Sequence, residues 1–420
     1  MSNSMTNRRS DYDILRALAT RQAEIASLPV QKETLRNWKR INALDPIKPM
    51  VSVDQICWEE FQGDEALQLK CADPFLRKLE WNLRATLYRW AHFPCDLVVP
   101  AHVDIPMAIG NSGYGIDIVM EDTVGGELHR NSETHLFADQ IADEDALARI
   151  VCPVITHDVR KSAEHKALAE EALGGILDVR MAGVTPVFRV WDEITFFRGV
   201  TPILYDFADR PEFLHAIMEK FTNIHLNLLD QYEALNVLDT GAPFSHCSPT
   251  HTDLLPTEDY DPERVLGRDC WASGMAQIFS SCSPAQFDEF EIAYAKRYYA
   301  RCGLVNYGCC EPLHDKVHLI RQMHGIRKVS CSPWADVRVM AEQLGSDYVL
   351  LRKPNPSFLS GDALDEASIR RETRETLAAC RVNGTPCEFI LKDITTVMRQ
   401  PERLDRWAQI VKEEIADFAG

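Results

Sequence analysis

The chain has no long apolar run. No window approaches about 18 uninterrupted apolar residues, which excludes a membrane-spanning helix as this sequence is read. The opening stretch MSNSMTNRRSDYDILRALAT lacks the continuous apolar segment of a secretory leader, so the cytoplasm is the expected compartment. Positive charge is in short supply: 45 Lys and Arg stand against 63 Asp and Glu, for a net charge of −18. That balance argues against a duplex nucleic-acid partner and leaves room for a small anionic substrate in a local pocket. Also absent are a GxxxxGK[ST] phosphate loop, a GxGxxG dinucleotide fingerprint after a strand, and a GxSxG elbow. There is no paired CxxC pattern, no internal repeat and no low-complexity tract.

What is present is ordinary globular composition, 45% hydrophobic and 26% charged, over 420 residues. A chain of that length buries a large core without staples. The thirteen cysteines are an odd number, and in a reducing compartment most of them serve as small buried hydrophobes. Residues 1–45 carry apolar residues at helical spacing and read as an N-terminal helical extension; residues 46–420 read as one barrel domain.

Beyond the extension, short β-branched runs alternate with helical patterns. The expected strands are 49–53, 96–102, 185–191, 236–241, 304–310, 328–332, 348–354 and 388–393. Helix candidates between them end at Gly183, Gly303, Gly325, Gly345 and Gly384, where a left-handed cap is anticipated. Eight strand–helix units predict an α/β fold, a closed (β/α)8 TIM barrel, with an open doubly wound sheet as the alternative. Long insertions are expected after strands 2 and 4. The first includes GYGIDIVMEDTVGGEL, which alternates like a β-ribbon; the second covers the loop-rich residues 242–283.

In a parallel barrel the reacting groups come from the C-terminal strand ends. Those ends carry His102 and Asp104; Trp191, Asp192 and Glu193; and Asp239, with His246, Cys247 and His251 beyond it. They also carry Cys309, Cys310, Glu311 and His314; Cys331 and Trp334; Arg352, Lys353 and Asn355; and Lys392 and Asp393. In GLVNYGCCEP, strand alternation would put Tyr307, Cys309 and Glu311 on one face and Cys310 on the other. A thiolate beside a carboxylate suits zinc, and His246 and Cys331 are the candidates to complete its shell. The competing reading is two packing cysteines. Lys353, Lys392, His102 and Trp191 are expected to bind substrate, while Asp192, Asp239 and Tyr307 are the expected catalytic groups.

Three phrases resemble the uroporphyrinogen decarboxylase superfamily, which includes the heme-pathway decarboxylase and zinc methyltransferases that work with corrinoid proteins. They are LYDFADRPEFLHAIMEKFT (204–222), SPAQFDEFEIAYAKRYYARCGLVNYGCC (283–310) and VSCSPWADVRVMAEQLGSDYVLLRKPNP (329–356). The resemblance runs over roughly residues 45–418 and implies a TIM barrel. The decarboxylase's MRQAGR motif has no counterpart after KPMVSV, which turns the resemblance toward the methyltransferase branch. In that branch a His-x-Cys-Gly motif supplies zinc ligands. Here Tyr307 stands at the His, Cys309 matches the Cys, and Thr395 and Thr396 lie near the place of a later ligand Cys. The implied activity is zinc-dependent transfer of a methyl group between a small methylated compound and a corrinoid protein or a thiol. A metal-free decarboxylase of a small carboxylic acid is the alternative. The expected partners are a small-molecule substrate, a corrinoid protein and a second copy of the chain, with neither nucleic acid nor membrane among them.

Overall fold

A computed structural model describes residues 2–121 and 136–419. Two helices come first, α1 (Ser2–Ala26) and α2 (Pro29–Asn42), followed by strand β1 (Met50–Val53) and helix α3 (Pro74–His92). Strand β2 (His102–Pro106) and helix α4 (Val159–Leu173) lead to β3 (Asp178–Ala182) and β4 (Val187–Phe188). Helices α5 (Val190–Arg198), α6 (Val200–Asp209) and α7 (Pro211–Ala234) precede β5 (Trp271–Gly274). The remainder alternates: α8 (Ala293–Tyr299), β6 (Leu304–Tyr307), β7 (Ile326–Cys331), α9 (Val337–Leu344), β8 (Val349–Arg352), α10 (Glu366–Asn383), β9 (Cys387–Leu391) and α11 (Glu402–Ala419).

Seven strands form one parallel sheet in the order β1-β9-β8-β7-β6-β5-β4. The first strand therefore pairs with the last, with Met50 opposite Glu388 and Val53 opposite Leu391. Strands β2 and β3 pair in parallel with each other, His102 opposite Asp178 and Pro106 opposite Ala182, and the Asp96 N–H donates to Val51 O at 2.8 Å, tying the approach to β2 back to β1. Counting β3 and β4 as one stretch, eight strand positions close a (β/α)8-barrel-like ring, which is the expected fold class.

The differences from the expected elements have local causes. Residues 178–182, read as the end of a helix, form β3, because Gly174 (φ 62°) already caps α4. Strand 96–102 begins only at His102, after Pro100 has removed a donor from the ladder. At 236–241 only Leu238 bridges to Val184, and the next place in the sheet is taken by Trp271–Gly274, inside the segment read as loop. The 185–191 run keeps two residues of strand, since α5 starts at Val190. In the expected ribbon, Met120–Glu121 pairs antiparallel with Leu136–Phe137; residues 122–135 of that expectation lie outside the described residues.

A large apolar cluster fills the space between wall and helices, and a second one joins α1, α3, α4 and β2 through Leu15, Leu76, Leu83, Val103 and Leu173. The barrel interior is different. Lys328 of β7, fully buried, donates to Glu388 of β9 at 2.9 Å, to Ser248 Oγ at 2.7 Å and to Pro249 O at 2.8 Å. Strand β8 lies between β7 and β9, so these side chains meet on the concave face. The segment around Ser248 thus runs inside the ring. The Trp38 and Trp271 rings each lie 5.7 Å from the Lys328 ammonium.

Candidate active site

Strand β6 stops at Tyr307, and Gly308 turns the chain with φ 96°. A Cβ there would lie 2.5 Å from Leu313 Cδ1, so the turn is open to glycine. The turn ends the alternation expected along GLVNYGCCEP. Tyr307 points outward, its hydroxyl donating to Glu291 Oε1 at 3.0 Å, while Cys309 and Cys310 converge with their sulfurs 3.5 Å apart. The expected separation of the two thiols, and the shared face of Tyr307 and Cys309, are corrected by this one backbone angle.

Cys309 is 5% exposed and ringed by cations. Lys392, just past β9, donates to its sulfur at 3.1 Å. Lys353, just past β8, donates to Gly308 O at 3.1 Å and places its charge beside the same sulfur. The Cys310 S–H is the largest influence holding the Cys309 thiol far below its ordinary range; burial opposes it, and Lys353 and His246 reinforce it. Cys310 is pushed up in turn by its bond to Cys309, and it also approaches Asp393 Oδ2 at 3.3 Å. Burial lowers Lys353; for Lys392 burial is again the largest influence and lowers it, but the charges of Cys309, Cys247, Asp393 and Cys310 together outweigh it and raise the lysine. Cys309 is therefore a thiolate paired with ammonium groups at the C-terminal end of the barrel.

His246 reaches this sulfur from inside the ring. Ser245 and Ser248 pair as a minimal hairpin, and the two residues between them, His246 (φ 45°) and Cys247 (φ 70°), are both left-handed. That is the backbone of a type I′ turn, which ordinarily takes Asn-Gly. Asn306 holds it by donating to Ser245 O at 2.8 Å. Burial lowers the His246 pKa and keeps the ring neutral, and its Nε2 is buried without a partner among the described residues.

The expected zinc ligands do not converge. Glu311 spends both oxygens on backbone, accepting from Cys309 N at 2.8 Å and from Ala276 N at 3.2 Å. Cys331 is fully buried and its sulfur faces Arg352 Nη1 at 3.3 Å, with Cys380 and Glu372 as its other neighbours. Cys309 and His246 are left, beside two lysines whose charge opposes a cation. Among the described residues no group of three or more His, Cys, Asp or Glu is arranged to hold a metal. This donor set does not fit a zinc ion.

Other expected residues fall into three places. Asp192 accepts from Gln277 N at 3.1 Å and from its amide at 2.8 Å; burial raises its pKa, and the Cys309 charge adds to the effect. Trp191 is core, its indole donating to Phe290 O at 3.0 Å between Phe207 and Phe279. His102 and Asp239 belong to a separate ionic cluster in which Arg180 bridges Asp104 and Asp239, each at 2.6 Å. Cys310 and Asp393 were placed at strand ends by the sequence, but their bond to each other and the Lys328–Glu388 pair did not emerge from it. The signal for the pair was there: two charged residues in fully buried strands need each other.

The chain matches no protein-family model and no curated protein. Among solved structures it is similar to a methyltransferase from Methanosarcina mazei, at a TM-score of 0.47 and 13% identity, over 90% of this chain and 98% of that one. Among the described residues, no helix is long and apolar enough to cross a membrane.

Proposed function

We propose that the protein is a group-transfer enzyme in which the Cys309 thiolate takes a methyl group from a small methylated compound and hands it to a second acceptor. The observation that carries this reading is the Lys392 ammonium 3.1 Å from a nearly buried sulfur, with Lys353 and His246 on its other sides. A thiolate held this far below its ordinary range is a weaker nucleophile but a better leaving group. Both halves of a relay need that balance. In the first half, sulfur attacks the methyl carbon and the bond to the departing heteroatom breaks. In the second, the acceptor attacks the same carbon and the C–S electrons return to Cys309, where the two ammonium groups stabilise the charge. The acceptor is proposed to be a free thiol or a corrinoid protein. No zinc takes part.

The test uses isotope-labelled quaternary ammonium and sulfonium compounds as methyl donors, with the label followed on the Cys309 peptide. Labelling of Cys309, and its removal by an added thiol or corrinoid protein, is the expected result. A Cys309 that takes no label, or keeps it in the presence of every acceptor, overturns the proposal. The decarboxylase alternative rests on Lys353 and Lys392 holding a carboxylate. Release of carbon dioxide by a Cys309→Ala variant would favour it.

A further inference from the structure

The relay uses one thiol, yet the site holds two. Cys310 is half-buried, its sulfur sits 3.5 Å from Cys309 Sγ, and the Gly308 turn aims both side chains at the same point. Cys309 has the thiolate; Cys310 keeps its proton between Cys309 and Asp393 Oδ2, 3.3 Å away. A Lys392 ammonium touches the first sulfur and lies 3.2 Å from Asp393. All thirteen cysteines are free thiols; the other hydrogen-bonded pair, Cys380 and Cys387, is buried at the opposite, N-terminal end of β9 with no lysine bonded to it among the described residues.

We infer that Cys309 and Cys310 form a peroxide-oxidisable dithiol, with Cys309 the attacked sulfur and Cys310 the resolving one. Cys309 is 5% exposed and Cys310 half-buried, so the second thiol is the more open of the two. The Cys309 lone pair attacks one peroxide oxygen and the O–O bond breaks. The departing hydroxide takes a proton from Lys392, giving water and a sulfenic acid. Cys310 then attacks Cys309 Sγ; the S–O bond breaks and the second hydroxide leaves as water with the Cys310 proton. Lys392 regains its proton from solvent. Two electrons have passed from the sulfurs to the peroxide, and the product is a disulfide closed across a single peptide bond. A thiol reductant reverses it. A sulfenic acid without a neighbour proceeds to the irreversible sulfinic acid, so the second thiol protects the first. The inference stands whether or not Cys309 carries methyl groups.

Mass spectrometry of the full-length protein after a short hydrogen peroxide pulse tests it. In the wild type, the peptide with both cysteines should lose two hydrogens at least about tenfold faster than any other cysteine oxidises, following its thiolate character, and dithiothreitol should restore it. In Cys310→Ser, Cys309 should instead yield a dimedone-trappable sulfenic acid and then a sulfinic acid that dithiothreitol does not reverse. Cys309→Ser should abolish the fast phase. Sulfinic acid forming in the wild type as fast as in Cys310→Ser overturns the inference, as does a Cys309 that oxidises no faster than the remaining cysteines. Circular dichroism of each variant shows that its fold is intact.

Discussion

Cys309 keeps its charge because neighbours replace the water that burial removes. Its reactivity should show this. With the thiol held far below its ordinary range, alkylation by iodoacetamide should rise by no more than a few-fold between about pH 4 and 8. An ordinary thiol, near 8.5, gains about tenfold per unit over most of that range. Lys392→Met should raise the Cys309 pKa and make its alkylation pH-dependent; a profile identical to wild type would show that the lysine does not stabilise the thiolate. Glu311 supplies a finer test. Burial, with the Cys309 charge second, pushes it up to about 7. Above that value it is ionised, and its negative charge makes the already deprotonated sulfur more electron-rich. The rate should rise a few-fold through pH 7 in the wild type and lose that step in Glu311→Gln. For stability the sign is the usual one for a raised carboxyl: the favourable contribution of Glu311 is full below its unfolded value near 4.5 and is lost as pH rises through 7.

At the scale of elements, one turn decides the site. Gly308→Ala puts a Cβ at φ 96° against Leu313 and Ser330. We expect a loss of about 1–2 kcal/mol from the backbone alone, read by urea unfolding, and slower disulfide formation as the thiols part. Here the sequence was legible up to Tyr307 and no further. Period-2 alternation holds only while the strand lasts, and nothing in the letters YGCCE says that the strand ends at its tyrosine. The same limit explains Trp271–Gly274. WASG has too few β-branched residues to announce a strand, and only the neighbouring ladders recruit it. Lys353 and Lys392 were legible, because residues at strand ends are placed by the ring itself. The long helix expected through 284–303 is interrupted by a π-helical stretch, Asp288–Ile292, which carries buried Glu291 to the Tyr307 hydroxyl.

The whole molecule hangs on how it fills its ring. Glu388→Gln would leave Lys328 buried and uncompensated, at a cost of about 3–5 kcal/mol, whereas the double change Lys328→Met with Glu388→Leu should be neutral to stabilising. Urea midpoints of the three proteins check this; equal midpoints would mean that the lysine reaches water. The N-terminal helices are structural parts of the same body. Leu15 of α1 is fully buried against the second apolar cluster, and Leu15→Ala should cost about 2–5 kcal/mol.

The hairpin that carries His246 is anchored below by Asn42 of α2, which donates to His251 O at 2.8 Å, and by Lys328. The imidazole therefore arrives through the barrel's axis, whereas both lysines arrive from its rim. A designer who repacks the interior with apolar layers loses the histidine at once, and one who replaces the loop after β5 loses the Ala276 N–H that holds Glu311 behind Cys309.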